Sequence, residues 1–283
     1  PSLVGGSVKI FAAESTGPIK SKLHPRLSTN SKWIWTVYLV LTIACVASYK
    51  LCGMNWFDAL NYAMTSTATG GFATSGGSIL SFHSIAEDYV CILFCFLSGV
   101  NFTFLYYSVV KGKVRQMFQH SEFRFYIMTI AISTLFIMVE LIYRNHYELE
   151  HAFRSSAFQV VSFITTTGLF NDDADKWPRV TWVVLSICMF VGGCSGSTAG
   201  GIKVIRWSIL AKALRNDIMK LLHPHGVFTL RVNGTPAKRE IVSVVGSFIF
   251  VYMIVVFATA LAGAVCGLDV PTAFTAALSM VGN

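Results

Sequence analysis

The 283 residues are 54% hydrophobic and only 13% charged, about half the charged share of an ordinary soluble domain. With 22 Phe, 10 Tyr and 6 Trp, they also hold too much apolar surface to remain unfolded in water. The net charge of +8 is concentrated in three blocks, 1–32, 111–124 and 203–240, which carry 17 of the 22 Lys and Arg but 4 of the 14 acids. Basic blocks of this kind mark the cytoplasmic loops of a multi-pass membrane protein, so the charge calls for no nucleic-acid partner.

A helix needs about 20 residues to cross a hydrocarbon core of about 30 Å. In chain order, Trp33–Cys52, Tyr89–Val110, Phe125–Tyr143 and Ile241–Gly267 meet or approach that length, are apolar and contain no Pro. Each predicts one continuous span. A fifth begins at Val180, meets a glycine-rich break at Gly192, and resumes from Ile202 as an apolar-to-basic helix. The basic blocks alternate with pairs of spans, as one consistent topology requires. Cysteines 45, 52, 91, 95, 188, 194 and 266 fall almost entirely inside apolar runs, with no CxxC and no His beside them. They predict packing as small apolar residues, not metal binding or disulfides. Pro1 is not a natural translation start, and Asn283 closes an apolar stretch that looks unfinished; both ends lead us to expect a longer protein.

Between the first two spans, residues 58–72 read DALNYAMTSTATGGF; shifted by 98, residues 156–170 read SAFQVVSFITTTGLF. Ala59/Ala157, Thr67/Thr165, Thr69/Thr167, Gly70/Gly168 and Phe72/Phe170 are identical in that register. Residues 271–283, PTAFTAALSMVGN, look like the opening of a third copy. The unit reads as span, short half-helix, Thr/Gly strand, span. About ten helical residues, Phe57–Ser66, reach about 15 Å and must turn back inside the bilayer. The non-helical backbone after them is tolerable only when buried in protein or lining a watery path. Glycine there lets successive carbonyls align, and a row of carbonyl oxygens can replace the hydration shell of a monovalent cation. A half-helix ahead of such a strand turns its negative end toward the ion. A plain polar turn outside the membrane is the alternative for one copy; two matching copies argue against it.

Residues 192–201, GGCSGSTAGG, contain five Gly, each costing a helix about 1 kcal/mol relative to Ala. The stretch should therefore not hold as helix. A small-residue packing face is one reading; a flexible obstruction beneath the Thr/Gly strands is the one five glycines favour. It fails as a phosphate loop, because Ile202 precedes Lys203 and Val204 follows it, and as a nucleophile elbow, because Ser197 stands where Gly is needed. With no paired carboxylates, metal set or nucleophile–base pair within the spans, the sequence predicts no enzyme. Lys203 and Arg206 are expected to reach toward the cytoplasmic surface, and Asp172, Asp173 and Asp175 to lie at the outer mouth, where they either concentrate cations or form a solvated loop.

TSTATGGF, SFITTTGLF and above all FVGGCSGSTAGGIKVIR (190–206) resemble the TrkH-type membrane subunits of the Trk/Ktr/HKT superfamily of potassium transport proteins. The resemblance implies an all-α integral membrane fold of four span–pore-helix–span repeats around one pore. By that pattern 1–32 is a cytoplasmic connector, 33–122 a second repeat, 123–237 a third with a broken second span, and 238–283 the start of a fourth. Thr67, Ala68, Thr69, Gly70 and Gly71, then Thr165, Thr166, Thr167, Gly168 and Leu169, become selectivity-filter positions for potassium, with Gly282 and Asn283 opening the fourth filter. Gly192, Gly193, Cys194, Ser195, Gly196, Ser197, Thr198, Ala199, Gly200 and Gly201 become an intramembrane gate. The resemblance further implies potassium as the transported ion with no cofactor, the bacterial cytoplasmic membrane, a homodimer, and a nucleotide-binding regulatory subunit of TrkA type on the cytoplasmic face. A sodium-permeable relative, or a cation-coupled secondary transporter built on a broken-helix site, is the alternative.

Overall fold

The computed structural model describes residues 27–109, 112, 114–223, 226, 228–229, 231–232, 235–236 and 239–282. The connector expected over 1–32 and the filter position Asn283 lie wholly or largely outside them. Among the described residues, three helices are long and apolar enough to span: α1 (Leu27–Leu51), α6 (Ser121–Asn145) and α10 (Arg239–Val265). Between them run α2 (Trp56–Ala68), α3 (Ile85–Ser98), α4 (Phe102–Val109) and α5 (Val114–Gln119). The later helices are α7 (Leu149–Ile164), α8 (Arg179–Val191), α9 (Val204–Leu222) and α11 (Val270–Gly282). A two-stranded antiparallel pair, Arg231–Val232 with Thr235–Pro236, lies in the last basic block.

Each long span is followed by a short helix packed back along it: α1 by α2, α6 by α7, α10 by α11. The short helices of 13, 16 and 13 residues extend about 20–24 Å, too little to cross. In α2, Ala59, Tyr62, Ala63 and Ser66 are fully buried on one side while Trp56, Phe57, Leu60 and Met64 are exposed on the other; α7 buries Ser155, Phe158, Gln159, Val160 and Val161 around its circumference, the signature of a helix enclosed on all sides. The spans do the reverse, exposing Trp35, Val40, Ile132, Leu135, Phe250 and Leu261. So much apolar surface is stable only against lipid.

One expectation fails. Tyr89–Val110 is not a continuous span: Ile85–Ser98 and Phe102–Ser108 meet at 104°. Asn101 accepts the Thr103 N–H through Oδ1 at 2.8 Å, starting a new helix, and only glycine fits just before it, because a Cβ on Gly99 would lie 2.2 Å from the Tyr126 hydroxyl and 2.7 Å from the Thr165 methyl. The backbone groups released at the break find partners in 192–201: Cys194 N–H donates to Gly99 O (2.9 Å), and Phe102 N–H to Gly196 O (3.1 Å).

Five cysteines, 45, 91, 95, 188 and 194, are buried and unlinked, while Cys266 is exposed just beyond α10. A membrane-impermeant maleimide added outside is expected to label Cys266 and spare those five. Labelling of Cys266 from the cytoplasmic side alone would invert the topology.

Candidate functional site

Two of the short helices, α2 and α7, end in the same way. In α2, Asn55 caps the start by accepting the Asp58 N–H at 2.8 Å. The end is closed by Thr69, in a left-handed conformation (φ 55°), with Gly70 N–H returning to Thr65 O at 2.9 Å. In α7, Thr166 takes the left-handed conformation (φ 56°), and Thr167 N–H returns to Ser162 O at 2.8 Å. Thr69 and Thr166 each donate their hydroxyl to the preceding residue's carbonyl, at 2.6 and 2.7 Å. Two residues later comes a glycine with positive φ: Gly71 at +72° and Gly168 at +79°.

These matches correct the register. Identities paired the windows with a shift of 98, placing Gly70 opposite Gly168; the backbone pairs Thr69 with Thr166 and Gly71 with Gly168, a shift of 97. Gly70 carries no left-handed angle. The expected strands also begin later than predicted. Thr67 and Ala68 are the last helical residues of α2, because the Thr67 hydroxyl bonds back to Ala63 O at 2.8 Å and needs no turn. Thr165 likewise closes α7, donating to Val161 O at 2.7 Å. Gly282 is helical too, at the end of α11. The non-helical segments are thus 69–72 and, past Thr166, 167–170.

The glycine-rich stretch is a closed lobe. Ile202 N–H reaches Phe190 O (3.4 Å) and Val204 N–H reaches Gly193 O (3.0 Å), drawing its ends together. Positive φ at Gly192 (+71°) and Gly201 (+78°) lets the two backbones touch; a Cβ on Gly201 would lie 2.6 Å from the Gly192 Cα. Three residues within 198–201 then meet all three half-helix ends. Thr198 donates its hydroxyl to Thr67 O (2.9 Å) and receives the Thr69 hydroxyl on its own carbonyl (3.0 Å). Gly200 N–H donates to Thr166 Oγ1 at 2.8 Å, and Gly201 N–H to Gly282 O at 2.6 Å.

Two buried ionisable side chains hold the lobe. Glu122, 3% exposed at the start of α6, accepts the Ser195 N–H. Lys203, 5% exposed, donates Nζ to Ala199 O. The expectation that Lys203 reaches the cytoplasmic surface is therefore overturned: the lobe supplies a carbonyl that a lysine in lipid would lack. Arg206 also turns back, donating to Ile202 O at 2.6 Å and stacking on Phe248 at 3.9 Å. The sequence signal for Glu122 is weak, one acid in a basic block, and nothing in the pattern paired it with Ser195.

A cavity of about 590 Å³ is lined by Thr166, Gly168 and Leu169, by Asp172, Asp173 and Asp175 just beyond them, and by Thr272, Thr275 and Ser279 of α11. Gln159, 1% exposed, also faces it. Lys176 at 2.9 Å holds the Asp173 carboxyl below its usual range, so it stays ionised. The acids predicted at an outer mouth therefore share one space with the second Thr/Gly segment.

Residues 2–283 match the family model of TrkH, a cation transport protein. The chain belongs to the TrkH family. It is 33% identical to the Trk system potassium uptake protein TrkH of Halomonas elongata and 34% identical to TrkG of Escherichia coli K12, in both cases over 100% of this chain and 59% of the relative. The crystal structure of the potassium transporter TrkH from Vibrio parahaemolyticus superposes with a TM-score of 0.86 at 32% identity, covering 97% of this chain and 58% of that one. The chain thus spans about three fifths of the length of these TrkH-family relatives, and its predominantly helical fold matches that of the solved structure.

Proposed function

We propose that this chain forms the greater part of a potassium-conducting pore in a bacterial cytoplasmic membrane, with Thr69–Phe72 and Thr166–Phe170 as two filter segments. The observation carrying this reading is the convergence of three half-helix C-terminal ends on residues 198–201 of one loop. Each such end bears about half a negative elementary charge, and three together favour a cation without any fixed carboxylate in its path. Backbone carbonyls then supply the ligands. The lobe 192–201, bonded to every one of those ends, is the gate, and the acid-lined cavity is where ions gather before entry. Residues 33–122, 123–237 and 238–283 act as successive pore units. The Trk system names of the relatives favour a multi-component assembly: a homodimer of membrane subunits with a TrkA-type nucleotide-binding subunit docked on the basic face.

Flux measured through the full-length protein in liposomes tests the reading. Gly168→Ser places a side chain where φ is +79°, a conformation that costs non-glycine residues about 1–2 kcal/mol. The expected result is a K⁺/Na⁺ flux ratio lowered about tenfold with the protein still folded. An unaltered ratio would remove the filter assignment.

A further inference from the structure

Both Thr/Gly segments are tied down beyond their glycines in a matching way. Three residues after each left-handed glycine, a side chain donates to a carboxylate. Thr74, after Gly71, gives its hydroxyl to Asp58 Oδ1 at 2.6 Å. Asn171, after Gly168, gives its amide to Asp88 Oδ2 at 3.0 Å.

The two carboxylates come from different parts of the fold. Asp58 lies in the first turn of α2, the helix leading into its own segment, and Asn55 fixes it by bonding to both its N–H and its carboxylate. Asp88 belongs to α3, outside the unit whose segment it holds. It is 5% exposed and paired with Arg154 of α7, which also donates to Glu150 Oε1 at 3.0 Å. A buried carboxylate with these partners is a stiff anchor, because each displaced bond exposes a charge that burial has already stripped of water. The Phe170 backbone is clasped as well, its N–H donating to Ser78 Oγ (3.2 Å) and its carbonyl accepting the Leu80 N–H (3.4 Å).

Each segment is therefore held at both ends, the second with the Phe170 clasp in addition. The inner hold is the glycine-rich lobe, through Thr69 and Thr166; the outer hold is a carboxylate. A strand fixed at its inner end alone can slide along its axis, and discrimination between ions of different radius needs ligands kept within about 0.5 Å. Resting on the filter reading above, we propose that Asp58–Thr74 and Asp88–Asn171 are positioning pairs that set the spacing of the filter carbonyls, and so the choice among alkali cations, without touching the ion.

The test compares K⁺ and Na⁺ flux through the full-length protein in liposomes for Asn171→Ala, Thr74→Val, Thr74→Ser and Gly168→Ser, with the melting temperature of each. Asn171→Ala leaves the Asp88–Arg154 pair in place. It is expected to lower the K⁺/Na⁺ ratio about tenfold, as losing a ligand's own supporting partner does at ion sites, while melting stays near that of the parent. Thr74→Val is expected to move the ratio the same way, and Thr74→Ser, which keeps the hydroxyl, to restore it. If Gly168→Ser changes the ratio while Asn171→Ala and Thr74→Val leave it alone, the positioning pairs are overturned and the filter reading survives. If Gly168→Ser changes nothing, the filter reading fails and the pairs fall with it. Should Asn171→Ala not fold, the exposed Thr74 decides alone.

Discussion

Gly71→Ala is expected to abolish K⁺ over Na⁺ discrimination, whereas Gly70→Ala, one residue earlier, is expected to leave it within about twofold of the parent protein. The difference is geometric. A Cβ on Gly71 would stand 2.0 Å from the carbonyl oxygen of Thr167 and 3.1 Å from its carbon, both backbone atoms of the other segment, at a φ of +72°. Neither segment can absorb that contact by rotating a side chain, so the carbonyl itself must move. The left-handed conformation adds about 1–2 kcal/mol of strain for any residue with a Cβ. A Cβ on Gly70 meets only the Phe72 ring at 3.5 Å and Thr65 Oγ1 at 3.6 Å, ordinary contact distances. Ion flux in liposomes, with melting temperature as the folding control, reads the outcome. Loss of discrimination at Gly70 with Gly71 tolerant would restore the register drawn from identities and discard the one drawn from the backbone.

Gly200→Ala is expected to raise basal potassium leak by about tenfold or more. Its Cβ would fall 1.9 Å from the Gly282 carbonyl oxygen and 2.7 Å from Thr166 Oγ1. The lobe must then leave α11 and α7, giving up the Gly201–Gly282 and Gly200–Thr166 bonds. Forcing a methyl group into a packed site costs about 1–3 kcal/mol, and about 1.4 kcal/mol shifts a two-state population tenfold. Gly246→Ala serves as the control, since nothing lies within 4 Å of a Cβ there. Leak equal to that of the control would mean that the lobe is packing and not a gate.

The lobe also shows why the sequence went only part of the way. Five glycines in ten residues predicted unwound backbone between Val191 and the next helix, and 192–201 is unwound. Composition could not say what the unwound backbone touches. Its partners lie at Thr67, Ser98, Gly99, Thr166 and Gly282, as far as 131 positions away in the chain. The break at Gly99 had no comparable signal. One glycine in an apolar run is compatible with a continuous span, and the bend is set by the Asn101 cap together with the partners that Cys194 and Gly196 offer to the freed backbone groups. The filter register failed for a related reason. Threonine at 67 and 165 looked like strand, but a hydroxyl bonded to the carbonyl four residues back sits comfortably in a final helical turn.

Hydropathy and the internal repeat were sufficient for a multi-pass membrane protein and for the existence of half-length helices, because lipid imposes length rules that act residue by residue. The family strings in 65–72, 162–170 and 190–206 carried the kinship. Which glycine turns left-handed, where Lys203 ends and which carboxylate holds Asn171 were decided by tertiary structure alone. Those outcomes depend on backbone atoms brought together from distant positions, where a tenth of a nanometre determines whether a side chain fits.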